Sequence, residues 1–166
     1  KNKKGPLRPR EIDGDDYARV TRAQAGIKAK KTIAVVHASG MIQGEESGMS
    51  FPFGQTMGAG TMEEAFRNAA DNKDVAAILY RVDSGGGDAA TSWRIQRAAL
   101  EAGKRKPMVI SMGDVAGSGG YLICYPCGTM LAGKMSVVGS IGSISGKFNM
   151  RGLYDKIGMT KDFVTR

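Results

Sequence analysis

Three short apolar runs, rich in β-branched residues, constrain this chain most. They are Thr32–His37 (TIAVVH), Val75–Val82 (VAAILYRV) and Pro107–Met112 (PMVISM). Each is too short for an ordinary helix and apolar at nearly every position, the pattern of strands buried on both faces. The intervening segments have helical spacing. Thr61-Met62-Glu63-Glu64 reads as a capping box, followed by Met62, Ala65, Phe66, Ala69 and Ala70 along one helical face. Asp88 is placed to cap a helix to Ala102 that Gly103 ends. Strands alternating with helices predict an α/β fold, a mostly parallel sheet with flanking helices.

Weaker signals fill in the rest. The stretch from Gly44 to Gly60, with five glycines and Pro52, reads as a long mobile loop. Its Phe51-Pro52-Phe53 is apolar enough to meet a neighbour or a substrate. Asp114–Ser118 reads as a tight turn, Gly119–Tyr125 as a short helix, and Thr129–Ala132 and Ser143–Gly146 as short strands. Met150, Leu153, Tyr154 and Ile157 form a helical stripe ended by Gly158, and Lys161–Thr165 reads as a last strand. A short helix is expected around Asp15–Ala25.

The formal charge of +8, from 24 Lys+Arg against 16 Asp+Glu, invites a nucleic-acid reading. Its distribution argues otherwise. Residues 1–31 carry ten basic and four acidic side chains, while 32–166 carry fourteen and twelve. Residues 1–31 are therefore expected to be a basic linker arm, and 32–166 a nearly charge-balanced domain. A nucleic-acid groove needs basic residues spread over a folded face, so no nucleic-acid partner is expected. The uncharged stretch from Val115 to Gly133 contains five glycines and Pro126 and does not read as a membrane helix.

In parallel α/β sheets, ligands sit at the carboxyl ends of strands. Two glycine-rich turns fall there, Ser84–Gly87 and Gly117–Gly120. In Ala116-Gly117-Ser118-Gly119-Gly120 the small neighbours allow a strained turn that exposes the serine. The following helix start offers unpaired amides to an oxyanion. The string is close to a nucleophile elbow, with Ala116 at the first glycine position; it also reads as a plain Gly-Ser loop before a helix. Asp83-Ser84-Gly85-Gly86-Gly87 lets backbone approach a ligand closely, as a second oxyanion donor or as a strand-to-helix turn. It lacks the dinucleotide and Walker phosphate patterns, and the chain is too short for the double barrel of a trypsin-like protease.

A serine nucleophile needs a base. His37, the only histidine, lies at a strand end upstream of Ser118 and reads as a strand-end polar residue. If Ser118 is a nucleophile, a lysine base of the Ser-Lys kind is expected. Cys124-Tyr125-Pro126-Cys127 falls at a helix C-terminus, where a redox thiolate gains nothing from the dipole, and one pair is half a zinc site. Both cysteines read as small buried side chains. No metal and no cofactor are expected.

These pieces in this order resemble the signal peptide peptidase A (protease IV) family of membrane-associated bacterial serine proteases. The matching strings are Ile78–Gly87, Val109–Gly113, Ala116–Tyr121, Val138–Gly142 and Leu153–Gly158. The resemblance covers about residues 32–166. It implies a ClpP/crotonase-like fold and a Ser-Lys serine endopeptidase that cleaves residual signal peptides. It implies Ser118 as nucleophile, oxyanion amides on Gly87 and Gly119, and an extended peptide laid beside Gly86 and Asp88. It further implies a homo-oligomeric ring at the bacterial inner membrane, with the catalytic domain on the extracytoplasmic side and the membrane association supplied outside this chain. The family usually has proline where Gly85 stands, and Ser and Ala where Cys124 and Cys127 stand. In short members the base lysine would fall just past Arg166; in tandem members it comes from the first half. Lys134, Lys147 and Lys161 are candidates by default only. The alternatives are a structural, oligomerising half of a tandem protein and a crotonase-type acyl-CoA enzyme.

Overall fold

A computed structural model describes residues 20, 24, 26, 30–125, 127–160, 162 and 164. Most of the expected arm over 1–31, the short helix near Asp15–Ala25 and much of the expected strand Lys161–Thr165 lie outside the described residues.

The three apolar runs become the three long strands of one sheet. β1 (Thr32–Ser39), β5 (Val75–Ser84) and β6 (Met108–Gly117) lie side by side in parallel, in that order. The far edge of β6 takes two short parallel strands in succession: β7 (Thr129–Leu131) along Val109–Ser111, and β8 (Val137–Gly139) along Val115–Gly117. Helices α1 (Ala59–Asp71) and α2 (Ala89–Arg105) provide the crossovers into β5 and β6. They bury Met62, Phe66, Ile95 and Ala99 against Val36, Ile78, Tyr80, Val82 and Ile110. Fully burying side chains of this size stabilises by about 1.5–3 kcal/mol each.

The alternation along β5 is regular. Ile78, Tyr80, Val82 and Ser84 are buried, while Leu79, Arg81 and Asp83 are half-buried. The opposite sheet face is apolar too, but no described helix covers it: Ile33 is 65% and Val35 49% exposed. Apolarity on both faces thus identified a packing surface correctly, while the described residues supply its cover on one side only.

The loop expected over Gly44–Gly60 is instead structured. β2 (Met41–Ile42), β3 (Gly48–Ser50) and β4 (Gly54–Met57) form a small sheet in the order β2-β4-β3. Glycine content suggested mobility, but Gly40 and Gly58 are where backbones nearly touch. A methyl on Gly40 would lie 2.2 Å from the Gln55 carbonyl oxygen, and one on Gly58 2.4 Å from that of Glu45. Phe51 and Phe53 are exposed beside the β3–β4 turn.

The capping box does not form. α1 starts three residues early, at Ala59 with Gly58 as N-cap, and the Thr61 hydroxyl accepts the Ser47 amide and donates to Glu46. α2 runs through Gly103 to Arg105, and the Asp88 N-cap is as expected. No strand forms at Ser143–Gly146; β8 lies earlier, where β6 offers an unpaired edge. α4 (Arg151–Ile157) ends at Gly158 with φ 70°, but its apolar stripe is not buried.

Tyr80 carries a testable detail. It is fully buried, stacked edge-on against Phe66 with ring centroids 4.9 Å apart, and its hydroxyl has no partner among the described residues. Leaving a buried hydroxyl unpaired costs about 1–3 kcal/mol. Tyr80→Phe should therefore raise stability by about 1 kcal/mol in urea denaturation. A loss of similar size would show that the hydroxyl is bonded after all.

Candidate active site

The site starts from an irregularity in β6. Val82 pairs with Met112, but Ser84 pairs with Ala116, so three residues of β6 stand opposite one of β5. Gly113-Asp114-Val115 form this bulge, and the Asp83 carboxylate accepts the Val115 amide within it at 3.1 Å. A methyl on Gly113 would come within 2.7 Å of that carboxyl carbon. Bulges re-aim the strand beyond them. Here the strand continues past the turn expected at Asp114, and Ser118 follows directly after its end.

Ser118 sits at φ 50°, ψ −120°, a backbone state that L-residues rarely adopt. Its amide donates to the Gly139 carbonyl at 2.8 Å, so the neighbouring strand β8 fixes the turn. The hydroxyl is left pointing to an open side, with only a long 3.5 Å contact to the Gly142 carbonyl. Behind it, α3 (Gly119–Leu122) is a single helical turn, shorter than the helix expected to Tyr125. One turn carries little macrodipole, so its contribution is the free amide at its start.

The second glycine turn is held against the first. Ser84 Oγ donates to the Gly40 carbonyl at 2.6 Å and accepts the Gly86 amide at 3.1 Å. Strand β2 then clamps the turn: the Ile42 amide donates to Gly86 O, and the Asp88 amide donates to Ile42 O. This arrangement brings Gly87 and Gly119 together. A methyl on Gly119 would lie 3.2 Å from the Gly87 nitrogen, and one on Gly86 2.6 Å from the Gly119 nitrogen. Neither the Gly87 nor the Gly119 amide has an acceptor among the described residues. Two unspent N–H groups thus flank the serine, which suits them chemically to hold a developing oxyanion.

Asp88 is committed locally. Its Oδ1 accepts the Thr91 amide at 2.7 Å and the Thr91 hydroxyl at 2.6 Å, and these bonds hold its carboxyl below the usual range. It therefore fixes the start of α2 just beyond the Gly86–Gly87 turn.

Two residues escaped the sequence reading. Ser92 is fully buried under the turn, donates to the Asp88 carbonyl, and stands 2.5 Å from where a methyl on Gly119 would be. Its place one turn after the N-cap is the only sequence signal for it. Ser140 follows Gly139, the register partner of Gly117, so two serines follow adjacent strand ends; it too has positive φ, 49°. The repeated Gly-Ser after an apolar strand was its signal.

The remaining candidates separate from Ser118. His37 lies in β1 opposite Arg81, two strands away from β6. Lys134 and Lys147 are exposed, and Lys161 lies outside the described residues. Among the described residues no lysine or histidine bonds the Ser118 hydroxyl. Cys124 and Cys127 are buried free thiols whose sulfurs face the Gly120 and Ile123 carbonyls. Burial pushes them up to about 12 and about 11, which suits core packing and not redox chemistry. No group of metal-ligating side chains occurs among the described residues.

The model of peptidase family S49 matches residues 101–166. The chain is 32% identical, over its whole length, to a chloroplastic serine protease SPPA of Arabidopsis thaliana, covering 24% of that protein. It is 35% identical to Protease 4 of Salmonella typhi over 94% of the chain and 24% of that protein. It is 34% identical to Protease 4 of Haemophilus influenzae over 93% of the chain and 25% of that protein. The chain thus spans about a quarter of the length of these curated relatives. With a mainly parallel α/β sheet of the ClpP-like kind, the family match and these relatives show that the chain belongs to peptidase family S49.

Proposed function

We propose that this chain carries the nucleophile and oxyanion site of a serine endopeptidase of signal peptide peptidase A type. One observation carries the reading: a strained, outward serine lies beside two unspent amides contributed by two different strand ends. Ser118 Oγ attacks the peptide carbonyl, a base takes its proton, and the Gly87 and Gly119 amides hold the resulting oxyanion. The tetrahedral intermediate collapses as the C–N bond breaks and the protonated base gives its proton to the leaving amine; water then attacks the acyl-enzyme, the base takes a proton from it, and that proton passes to Ser118 Oγ as the acid product leaves. The base is a lysine supplied from outside the described residues. Burial or nearby positive charge must lower its pKa for this work.

The substrates are residual signal peptides or other extended peptides laid along the strand edges by Gly86 and Asp88. The assembly is a homo-oligomeric ring, associated with the bacterial inner membrane through parts outside this chain and acting on its extracytoplasmic side. No helix among the described residues is long and apolar enough to cross a membrane. Residues 1–31 serve as a basic linker arm to the domain over 32–166.

The test is covalent. A fluorophosphonate probe should label the intact protein at Ser118, identified by peptide mass mapping, and should not label Ser118→Ala. Absence of labelling in a protein that hydrolyses peptides would refute the assignment. Absence of both labelling and hydrolysis would favour a structural half.

A further inference from the structure

The length of the β6 bulge decides where Ser118 ends up. Between the pairs Val82–Met112 and Ser84–Ala116, four steps along β6 match two along β5. Continuing from Ala116, Ser118 falls level with Gly86, and a methyl on Gly86 would stand 2.9 Å from Ser118 Cβ. A regular ladder continued from Met112 would instead set Ser118 level with Asp88. At ~3.3 Å per residue, that shift of two residues is about 6.6 Å. It would carry the serine past the Gly87 amide. Side chains alternate with a period of two, so a slip by two residues leaves each one on its own face of the sheet. The hydrophobic pattern therefore does not choose between the two registers. The choice falls to whatever holds the bulge.

Two side chains hold it, one from each flank. From β5, the Asp83 carboxylate accepts the Val115 amide at 3.1 Å, in the room that Gly113 leaves by having no side chain. From the outer flank, Ser136 Oγ donates to the Gly113 carbonyl at 2.6 Å and accepts the Gly133 amide at 3.0 Å. The Ser136 amide donates back to the Gly133 carbonyl, closing a turn that leads directly into β8. On this flank β7 pairs with β6 as far as Ser111 and β8 pairs from Val115, so Ser136 stands in the break between them. A bulge disrupts the ladder and frees backbone groups. Here one freed donor and one freed acceptor each receive a side-chain partner, and the donor receives the stronger, charge-assisted kind.

We propose that Asp83 and Ser136 are positioning residues of the serine site, which together lock the β6 bulge and so hold Ser118 level with the Gly86–Gly87 turn. This role rests on the serine peptidase reading above. Neither residue bonds the Ser118 hydroxyl. Both act through the β6 backbone. Ser136 also fixes the start of the strand whose Gly139 carbonyl accepts the Ser118 amide.

The test measures kcat and KM in the intact protein. Each preparation is titrated to completion with a fluorophosphonate, so that kcat is counted per reactive serine and a loss of folded protein does not enter it. Asp83→Leu, similar in size but without an acceptor, should lower kcat at least about tenfold, since a misplacement of about 1 Å can cost about 10²-fold. Its KM should stay within about twofold, as expected when ground-state binding is untouched. Asp83→Asn keeps an acceptor oxygen and should recover most of the loss. Ser136→Ala should lower kcat severalfold, and Ser136→Thr should restore it. Because both residues hold one bulge, the double variant Asp83→Leu/Ser136→Ala should lose clearly less than the product of the two single losses. Independently of hydrolysis, hydrogen–deuterium exchange at the Val115 and Ser118 amides should quicken in Asp83→Leu and not in Asp83→Asn. The proposal is overturned by parent-like kcat in both Asp83→Leu and Ser136→Ala, or by unchanged exchange at those two amides in Asp83→Leu. It is equally overturned if Asp83→Asn loses as much as Asp83→Leu, or if the double loss equals the product. Ser118→Ala, measured alongside, separates this role from the reading beneath it. Hydrolysis that survives in Ser118→Ala removes the serine mechanism and the positioning role with it, whereas hydrolysis lost there but parent-like in Asp83→Leu and Ser136→Ala removes the positioning role alone.

Discussion

Ser118→Ala in the intact protein should lower peptide hydrolysis at least about a thousandfold, with the residual rate supported by binding and the oxyanion amides alone. The fold should not change, because the hydroxyl makes only one long contact and the turn is fixed by the backbone bond from the Ser118 amide to the Gly139 carbonyl. Ser118→Gly separates catalysis from stability. The observed φ and ψ place an L-residue in a region costing about 1–3 kcal/mol, which glycine escapes. Glycine gives back about 0.4–1 kcal/mol through the entropy of the unfolded chain. The net expectation is a glycine variant as inactive as the alanine one, yet melting about 2–4 °C higher than it. Hydrolysis by Ser118→Ala within tenfold of the parent would remove Ser118 from the mechanism. A glycine variant that melts below the alanine one would remove the strain.

The sequence made the central sheet legible because short runs apolar at nearly every position suit the strands of a parallel α/β sheet and few other structures. The Asp88 cap was legible for a similar reason, since an aspartate before a helical run has one common use. The bulge in β6 was not legible. Gly113-Asp114 looks like turn chemistry, and only the fold reveals that the Asp83 carboxylate fills the space that Gly113 leaves. The same holds for Gly44–Gly60, where glycine permits close backbone packing in a small sheet and not looseness. Thr61 misled because a capping box and a loop anchor need the same hydroxyl; Ser47 and Glu46, distant in sequence, decided between them. At the site, the two glycine turns announced themselves, whereas Ser92 did not. Its role comes from its hydroxyl, which would stand 2.5 Å from a methyl on Gly119, a closeness that belongs to packing and has no local sequence pattern.

That close approach makes the oxyanion turn separable residue by residue. Gly87→Ala should lower kcat about 10²–10³-fold, the usual loss when one oxyanion donor is misplaced. A methyl there would stand 2.1 Å from the Ile42 carbonyl oxygen and 2.8 Å from the Ile42 nitrogen, and both are backbone atoms. Strand β2 must move away, and the bonds from Ile42 to Gly86 and from Asp88 to Ile42 open with it. The amide of residue 87 is carried off its aim in the process. Gly85→Ala, two residues earlier, meets nothing within 4 Å and should stay within about twofold of the parent. Gly119→Ala falls between them, because its obstacle at 2.5 Å is the Ser92 hydroxyl, a side-chain atom. Ser92→Ala in the same chain removes that obstacle and should recover part of the Gly119→Ala loss, while recovering none of the Gly87→Ala loss. Steady-state kcat and KM for the six proteins, with melting temperatures to exclude unfolding, test this order. Equal losses at Gly85 and Gly87, or rescue of Gly87→Ala by Ser92→Ala, would mean that the two turns do not act through the amides assigned to them.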